Sequence, residues 1–367
     1  MSGEHDISLD KLFAPFLLGP SRLANRMVMA PMSRNRADVE DAADALTAKY
    51  YEQRATAGLI ITEASPVSPA AHTSPRAPGI YSAWQTAGWS QVTQAVHDAG
   101  GKIFLQLWHA GRISHPSGQP DGTAPIAPSA IAPQGTVSTG KGTFPFVTPR
   151  ALAREEIPMI VAQFADAAFN AKQAGFDGVE IHAGNGYLID QFLRDDSNRR
   201  PDAYGGSVEN RARFLLNIAD TVAAVWGKNR VGVRLSPVSS LNSMRDSDPQ
   251  RSFNYFAEAL SGRGLAFLHV DETSDYTFDW PVFRRCYRGN YIANSGYDRT
   301  RAIAAIESGH ADLISFGRPF LANPDLVARF RTGGPLNHPD RSTFYGGDHR
   351  GYTDYPFITD PRRLGSR

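Results

Sequence analysis

Short runs rich in Val, Ile, Leu and Phe recur along the chain, and longer stretches with helical spacing of apolar residues separate most of them. This alternation is typical of parallel strands joined by crossover helices. Several runs are apolar almost throughout, as expected for strands that are covered on both faces. We predict eight strands, at residues 26–30, 58–63, 102–107, 178–182, 230–235, 265–270, 290–294 and 312–316.

The stretches between the runs contain recognisable helices. Apolar residues at three-and-four spacing over 157–171 predict a helix that ends before Gly175, and the same spacing over 214–225 predicts one that ends at Gly227. A third ends near Gly262. Eight strand–helix units predict an α/β protein, a single (β/α)8 TIM barrel. A doubly wound sheet is the alternative, but the chain lacks G-x-G-x-x-G and G-x-x-x-x-G-K-[ST] motifs.

The chain is longer than a barrel needs. It has 367 residues, whereas a minimal barrel uses about 250. The additional residues fall in the N-terminal lead-in, in a C-terminal extension beyond Thr332, and in residues 111–154 after the third strand. This insertion is dense in Pro and Gly, and we predict that it forms a small lid or hairpin over the barrel mouth. We treat residues 1–367 as a single domain.

Composition and charge exclude several classes of protein. Hydrophobic residues make up 41% of the chain, which argues against disorder. The 38 Lys and Arg residues nearly balance 37 Asp and Glu residues, so no net field favours a nucleic-acid or membrane partner. Cys286 is the single cysteine, the N-terminus has no signal-peptide pattern, and no apolar run is long enough to span a membrane. We predict a cytoplasmic protein.

In barrel enzymes the active site lies where the strands end, so the residues that leave each run are the candidates for chemistry. The loops after the seventh and eighth strands commonly bind phosphate, and they contain Ser295, Gly296, Gly317 and Arg318. The alternative is that these glycines only form tight turns and that Arg318 belongs to a surface ion pair. Pro31, Met32 and Ser33 follow the first strand, and Ala64 follows the second.

The fourth strand ends in a group of polar side chains. His182 and Asn185 offer donors to one oxygen, and the phenol of Tyr187 can deliver a proton. The alternative for His182 is a satisfied core histidine. Arg234, on the fifth strand, needs an acceptor, which an electron-rich ring, a carbonyl or a neighbouring carboxylate can provide.

Further candidates lie on the third strand and in two loops. Gln106 and Trp108 are two residues apart on a strand and therefore share a face. The amide of Gln106 suits the edge of a heterocycle, and the indole of Trp108 suits a pocket wall or core packing. Tyr81 and Tyr345 lie in loops that could reach the barrel mouth. We find no H-E-x-x-H, G-x-S-x-G or C-x-x-C motif, so neither a metal site nor a nucleophile of these types is predicted.

Along nearly its whole length the chain resembles the old yellow enzymes, a family of flavin-dependent alkene reductases. The first strand with its exit (RMVMAPMSR, 26–34), the third (FLQLWHAGR, 104–112) and the fourth (GVEIHAGNGYL, 178–188) resemble family segments. Similar segments also occur at residues 196–200, 204–207, 209–211, 316–320 and 351–356. Together these segments are highly specific, whereas the glycines alone would not be.

The resemblance implies a barrel that binds FMN without a covalent bond and is reduced by NAD(P)H, with NADPH favoured. It implies that hydride passes from flavin N5 to the β-carbon of an α,β-unsaturated carbonyl or nitro compound, while Tyr187 protonates the α-carbon. His182 and Asn185 would bind the substrate oxygen. Family members are monomers or homodimers.

The resemblance also assigns the remaining candidates. The isoalloxazine ring would be surrounded by Ser33, Ala64, Gln106 and Arg234, with backbone contacts from Pro31 and Met32. The phosphate would be held by Ser295, Gly296, Gly317 and Arg318. The substrate pocket would be lined by Tyr81, Trp108 and Tyr345. Two positions depart from the family pattern. Ser33 replaces Thr or Cys, which we expect to change the flavin potential modestly, and Ser295 replaces a glycine of the phosphate site.

Two other functions are considered. A phosphate-binding barrel aldolase or isomerase would need a Schiff-base Lys or a carboxylate base at a strand end. Glu63 and Asp271 are candidates for such a base, but no Lys ends a strand. A non-enzymatic flavin-binding or scaffold protein would not need His182, Asn185 and Tyr187 together.

Overall fold

The computed structural model describes residues 11–273 and 277–358. Eight parallel strands close into a barrel in chain order, and the eighth pairs with the first. We number them β1 (Met27–Met29), β2 (Leu59–Pro66), β3 (Ile103–Trp108), β4 (Gly178–His182), β5 (Val231–Leu235), β6 (Phe267–Asp271), β7 (Tyr291–Asn294) and β8 (Leu313–Phe316). The predicted (β/α)8 barrel is confirmed. The single-domain prediction includes residues 1–10, 274–276 and 359–367, which lie outside the described residues.

The largest difference from the predicted strands is at β2, which continues to Pro66 instead of ending at Glu63. Its pairing with β3 shifts register between Ile61 and Ala64, and it then resumes as far as Pro66 opposite Trp108. A β-bulge of this kind bends a strand and re-aims the side chains that follow it. The register shift therefore determines how Ala64 is presented at the barrel mouth.

The helices follow the strands as the crossover pattern predicts. They are α1 (Ala45–Glu52), α2 (Ala83–Asp98), α3 (Ile157–Gln173), α4 (Leu188–Leu193), α5 (Val208–Trp226), α6 (Pro249–Ser261), α7 (Trp280–Cys286), α8 (Arg299–Glu307), α9 (Arg318–Ala322) and α10 (Leu326–Thr332). The three helices predicted in detail correspond to α3, α5 and α6. Polar side chains cap several N-termini, as where Ser207 accepts a bond from the backbone N–H of Asn210 before α5. The C-terminus of α5 lies at Gly227, whose φ of 80° suits glycine.

The barrel strands separate two apolar regions, because successive side chains on a strand face opposite sides. Val28 of β1 packs with Leu59 and Ile61 of β2 in a cluster inside the barrel. Its neighbours Met27 and Met29 belong instead to the larger core between strands and helices. Both faces are buried, which explains why the strand sequences are apolar almost throughout.

The cluster inside the barrel lies toward the amino ends of the strands, and we call it the lower interior cluster. It consists of Leu18, Leu23, Val28, Leu59, Ile61, Phe104, Ala266, Phe267, Ile292 and Leu313. Leu18 and Leu23 come from an antiparallel hairpin, Phe16–Leu18 with Ser21–Leu23, in the N-terminal lead-in. This hairpin thus closes the bottom of the barrel with apolar side chains.

The insertion between β3 and α3 contains a short hairpin. Strands Thr136–Thr139 and Gly142–Pro145 pair antiparallel, and Ile126–Ala127 pairs with Arg150–Ala151. The insertion is tied to the loop after β5, since the guanidinium of Arg112 donates to the carbonyl of Ser243 and the Gln134 N–H donates to Oγ of Ser243. Its action as a lid stays a prediction.

The C-terminal segment, residues 333–358, returns to the exit of β1 and is held there by three buried arginines. Their guanidinium groups donate to backbone carbonyls. Arg34 donates to Thr343, Phe344 and Gly351, and Arg36 donates to Thr343, Asp348 and Arg350. Arg54 donates to Tyr352 of the segment and to Phe320 and Leu321 of α9. The same groups stack on the rings of Tyr50 and Tyr352. These bonds bring Phe344 and Tyr345 to the barrel mouth.

No helix in residues 11–273 and 277–358 combines the length and the apolar composition that crossing a bilayer requires.

Candidate active site

A cavity of about 310 Å³ opens at the carboxyl ends of the strands, where barrel enzymes carry out their chemistry. Its walls come from the strand ends, the loops after β4 and β5, α9 and the C-terminal segment. It is lined by Pro31, Met32, Ser33, Ala64, Gln106, His182, Asn185, Tyr187, Arg234, Leu241, Arg318, Leu321, Phe344 and Tyr345. The structure therefore brings most of the predicted site residues together.

Strand register places the polar side chains next to one another. Gln106 on β3 pairs with Glu180 on β4, and His182 at the end of β4 pairs with Arg234 on β5. Arg234 in turn pairs with His269 on β6. Paired residues on neighbouring strands share a face, so these side chains meet inside the barrel above the lower interior cluster.

Arg234 finds its partners within the barrel. Its Nη1 lies 2.6 Å from His269 Nε2, and its Nη2 donates to Asn294 Oδ1 at 2.8 Å. Asp271 Oδ2 is 3.8 Å from Nη2, a looser ion pair of the kind considered from the sequence. Only 6% of Arg234 is exposed, yet it lines the cavity, so N–H groups that these partners leave free can donate to a ligand there.

The loop after β4 presents Asn185 to the cavity through an unusual backbone conformation. Asn185 has a φ of 57°, a left-handed value that Asn tolerates better than most residues. Its N–H donates to Ser236 Oγ at 2.6 Å, and its carbonyl accepts a bond from Asn242 Nδ2 at 2.7 Å. The backbone is thus anchored to the loop after β5, which leaves the side-chain amide for a ligand.

His182 is a neutral imidazole in this environment. Burial lowers the pKa of His182 well below its ordinary value, and the positive charge of Arg234 adds to the effect. Its Nδ1 is buried and has no hydrogen-bond partner among the described residues. A neutral ring carries one N–H, so His182 can offer a single donor to a substrate oxygen without bringing a charge.

Tyr187 stands beside His182 and keeps its proton. Burial raises the pKa of Tyr187 to about 12, with a further contribution from Tyr345. Its ring packs edge-on against His182, with centroids 5.2 Å apart, and against Trp108 at 5.1 Å. A phenol in this position is protonated at neutral pH and can act as a general acid.

The three predicted pocket-lining aromatic residues differ in where they lie. Tyr345 lines the cavity at its rim and is 67% exposed. Trp108 is buried behind Tyr187 and supports that ring without lining the cavity. Tyr81 lies in a separate cavity, where its hydroxyl is 3.1 Å from His72 Nε2, so the structure does not bring Tyr81 together with the others.

A second cavity, of about 610 Å³, adjoins the first through Arg318. Ser295, Gly296, Gly317 and Arg318, the predicted phosphate site, all line it. Ser295 has a φ of 80°, a conformation that glycine adopts without strain, and its hydroxyl donates to Asp271. The backbone conformation explains why a glycine suits this position, and the bond to Asp271 holds the serine that occupies it.

The donors in these two cavities fit FMN, the cofactor that the resemblance implies. In the part of the chain that the structure describes, no group pairs with the guanidinium of Arg318, although it lies between the cavities beside Gly317. An unpaired guanidinium next to glycine backbone suits a phosphate, while the Gln106 amide and Arg234 suit the polar edge of a flavin.

Sequence reasoning missed several residues of the site. Leu241, Leu321 and Phe344 also line the cavity, and Glu180 and His269 lie buried beneath it. Leu321 and Phe344 stand beside recognised motifs, but nothing in the sequence distinguishes Leu241. Glu180 could have been found, since a charged residue two positions from His182 in an apolar strand shares its inward face.

Curated relatives cover almost the whole chain. A Leishmania infantum protein described as a probable flavin mononucleotide-dependent alkene reductase is 44% identical over 96% of this chain and 98% of its own length. The 12-oxophytodienoate reductase 7 of Oryza sativa subsp. japonica is 44% identical over 96% of this chain and 95% of its own.

Solved structures and a family match agree with this relationship. Morphinone reductase in complex with tetrahydroNAD superposes with a TM-score of 0.92 and 49% identity, covering 95% of this chain and 98% of that one. An old yellow enzyme homologue from Zymomonas mobilis gives 0.91 and 44%, covering 94% and 99%. Residues 11–337 match the NADH:flavin oxidoreductase / NADH oxidase family. The chain therefore belongs to the old yellow enzyme family of FMN-dependent oxidoreductases.

Proposed function

We propose that the protein uses NAD(P)H to reduce the activated C=C bond of α,β-unsaturated carbonyl or nitro compounds. One observation carries this proposal: His182, Asn185 and Tyr187 line a single cavity together with Gln106 and Arg234. Oxygen-binding donors and a general acid thus stand beside the groups that suit a flavin. The relatives named as alkene reductases support the same reaction.

The chain's own residues would hold FMN at both ends. Arg318, Ser295, Gly296 and Gly317 would hold the phosphate, whereas Ser33, Ala64, Gln106 and Arg234, with the backbone of Pro31 and Met32, would surround the ring. When bound and reduced, the flavin supplies a hydride to the β-carbon of the substrate.

His182 and Asn185 would bind the substrate's carbonyl or nitro oxygen. Neutral His182 offers one N–H, and the Asn185 amide offers two. As negative charge develops on this oxygen, donors that are already in place stabilise it without reorganisation. The bond from the Asn185 N–H to Ser236 and the bond from Asn242 to the Asn185 carbonyl hold the Asn185 backbone in place and support this preorganisation.

Tyr187 would protonate the α-carbon. Because the pKa of Tyr187 is raised to about 12, its phenol stays protonated through the neutral range. The edge-on contacts with His182 and Trp108 restrict the ring, and Tyr187 lines the cavity. Of the predicted pocket-lining aromatic residues only Tyr345 lines this cavity, and its role stays a prediction. The NADPH preference, the cytoplasmic location and the monomeric or homodimeric state also stay predictions.

The replacement Tyr187→Phe tests this assignment. It removes the acid but keeps the ring, so we expect alkene reduction of 2-cyclohexenone to slow by roughly 10²- to 10⁴-fold, while reduction of FMN by NADPH keeps its rate. Stopped-flow absorbance of the flavin band measures the two half-reactions separately.

Tyr255→Phe is the matched control, because it makes the same chemical change on α6 outside both cavities. It should leave both half-reactions unchanged. If Tyr187→Phe also keeps the wild-type rate of alkene reduction, Tyr187 is not the proton donor.

A further inference from the structure

A chain of hydrogen bonds crosses the barrel interior directly beneath the cavity. Nε2 of Gln106 donates to Oε1 of Glu180 at 2.7 Å, and Oε2 of Glu180 is 2.7 Å from Nδ1 of His269. On the far side of the imidazole, Nη1 of Arg234 is 2.6 Å from His269 Nε2, and Ser315 Oγ is 2.7 Å from the same nitrogen. We call Gln106, Glu180, His269 and Ser315 the polar layer.

The guanidinium of Arg234 determines which protons His269 carries. An arginine can only donate, so His269 Nε2 must accept its bond and cannot hold a hydrogen. The ring hydrogen is then on Nδ1 and is donated to Glu180. This neutral form agrees with the pKa of His269, which burial lowers below its ordinary value, as does the nearby charge of Arg234.

Glu180 determines the orientation of Gln106 in the same way. A carboxylate is an acceptor only, so the Gln106 amide must turn its NH2 group toward Glu180. The amide oxygen and the second N–H of Gln106 are left for the cavity. One buried carboxylate thus fixes the orientation of Gln106 and accepts the ring hydrogen that Arg234 leaves on Nδ1 of His269.

Such a carboxylate needs an explanation, because Glu180 and His269 have no exposed surface. Removing a charge from water costs several kcal/mol, and hydrophobic residues fill the lower interior cluster of the same barrel without that cost. Charge in the polar layer is therefore not required for filling the barrel.

We propose that Glu180 and His269 are positioning residues that orient Gln106 and Arg234 toward the flavin and that the charge of Glu180 lowers the flavin's reduction potential. The inference rests on the proposed placement of the flavin ring beside Gln106 and Arg234. Two-electron reduction adds negative charge to the pyrimidine part of a flavin, and a buried carboxylate below it opposes that charge.

The first test is the midpoint potential of FMN-loaded Glu180→Gln, measured by equilibration with a redox dye. This variant keeps the side-chain shape and removes one negative charge. We expect the equilibrium constant for flavin reduction to rise about tenfold, which is roughly 30 mV for a two-electron couple. An unchanged potential in a variant that binds FMN would overturn the proposal.

Asp177→Asn is the matched control at the other end of the same strand. Asp177 immediately precedes β4 and is also bonded to a histidine, His97, at 2.9 Å, and to Lys102 at 3.1 Å. Removing its charge is expected to leave the potential unchanged. A shift equal to that of Glu180→Gln would mean that net charge, and not the polar layer, controls the potential.

A pair of His269 variants keeps the proposal testable if Glu180→Gln does not fold or does not bind FMN. Gln can place its NH2 group toward Glu180 and its oxygen toward Arg234, which is the donor and acceptor order of the neutral ring, whereas Leu provides neither. We expect His269→Gln to keep the FMN dissociation constant near its wild-type value and His269→Leu to raise it at least tenfold. Equal behaviour of the two variants contradicts the positioning role.

Gln106→Leu separates this inference from the proposed function. If the flavin lies beside Gln106, Gln106→Leu changes the midpoint potential of the flavin whether or not Glu180 influences that potential. When neither Gln106→Leu nor Glu180→Gln changes the potential, the placement of the flavin is wrong. When only Gln106→Leu changes it, the placement stands and the role of Glu180 is wrong.

Discussion

The two halves of the barrel interior are built from the same strands but from opposite kinds of side chain. Phe104 on β3 and Phe267 on β6 lie in the lower interior cluster, with ring centroids 5.8 Å apart. Two residues further along these strands stand Gln106 and His269 of the polar layer. A step of two residues on each strand thus changes the interior from apolar to polar.

This difference separates stability from chemistry within one fold. Apolar packing in the lower half removes surface from water and stabilises the barrel, at about 25 cal/mol per Å². The upper half contains ionisable groups, whose burial costs free energy, and these groups lie beside the cavity. Substitutions in the lower half should change the stability of the fold and leave cofactor binding and catalysis intact. Substitutions at the mouth should change cofactor binding or catalysis and leave the stability of the fold nearly unchanged.

The largest effect is expected for Phe267→Ala in the lower half. The Phe267 ring is fully buried and fills the space above Gly232, where even a Cβ would lie 2.1 Å from it. Its loss should lower the free energy of unfolding by about 3–5 kcal/mol in urea titrations, while the folded enzyme keeps its flavin potential. Leu17→Ala, an exposed position in the hairpin below, should cost far less.

An intermediate effect of the opposite kind is expected for Arg318→Ala at the mouth. Hydrogen bonds to a charged group are worth about 1.5–3 kcal/mol, so FMN should bind roughly 10- to 150-fold more weakly in fluorescence titrations. Because Arg318 is exposed, the stability of the apoprotein should change by no more than about 0.5 kcal/mol. Arg288→Ala removes an exposed charge that lines neither cavity and should leave FMN affinity unchanged.

The smallest effect is expected from pH. The pKa of His182 lies well below its ordinary value and the pKa of Tyr187 is about 12, so neither side chain changes charge between pH 6 and 9. Stopped-flow rates of alkene reduction should be flat across this range and should fall only when Tyr187 begins to ionise, near the alkaline limit. A change in the rate near pH 6.5 that follows the titration of one proton would contradict a neutral His182. It would also contradict the proposed division between a stabilising lower half and a chemically active mouth.

The sequence predicts the barrel well because each strand carries a local signal, a short apolar run between helices. It also predicts the residues at strand ends, such as His182 and Arg234, since the barrel topology brings those ends to one place. The upper boundary of β2 escapes prediction because the register shift between Ile61 and Ala64 depends on pairing with β3. Local patterns do not encode that pairing.

Other features depend on contacts between distant segments. Leu241 follows β5, but nothing in its local sequence indicates that it reaches the cavity. The place of Tyr81 depends on its contact with His72, which no spacing rule predicts. The bonding of Glu180 requires three strands at once, because its partners Gln106 and His269 come from β3 and β6.

The clasp formed by Arg34, Arg36 and Arg54 has a consequence for the synthesis of the protein. These arginines belong to the exit of the first strand and the loop before β2. Most of the carbonyls they bind, and the wall residues Phe344 and Tyr345, come from the C-terminal segment, whereas two acceptors of Arg54, Phe320 and Leu321, come from α9. A ribosome therefore completes all eight strands before it makes this wall. The nascent barrel has its donors and its polar layer, but its mouth is finished only when the C-terminal segment has docked.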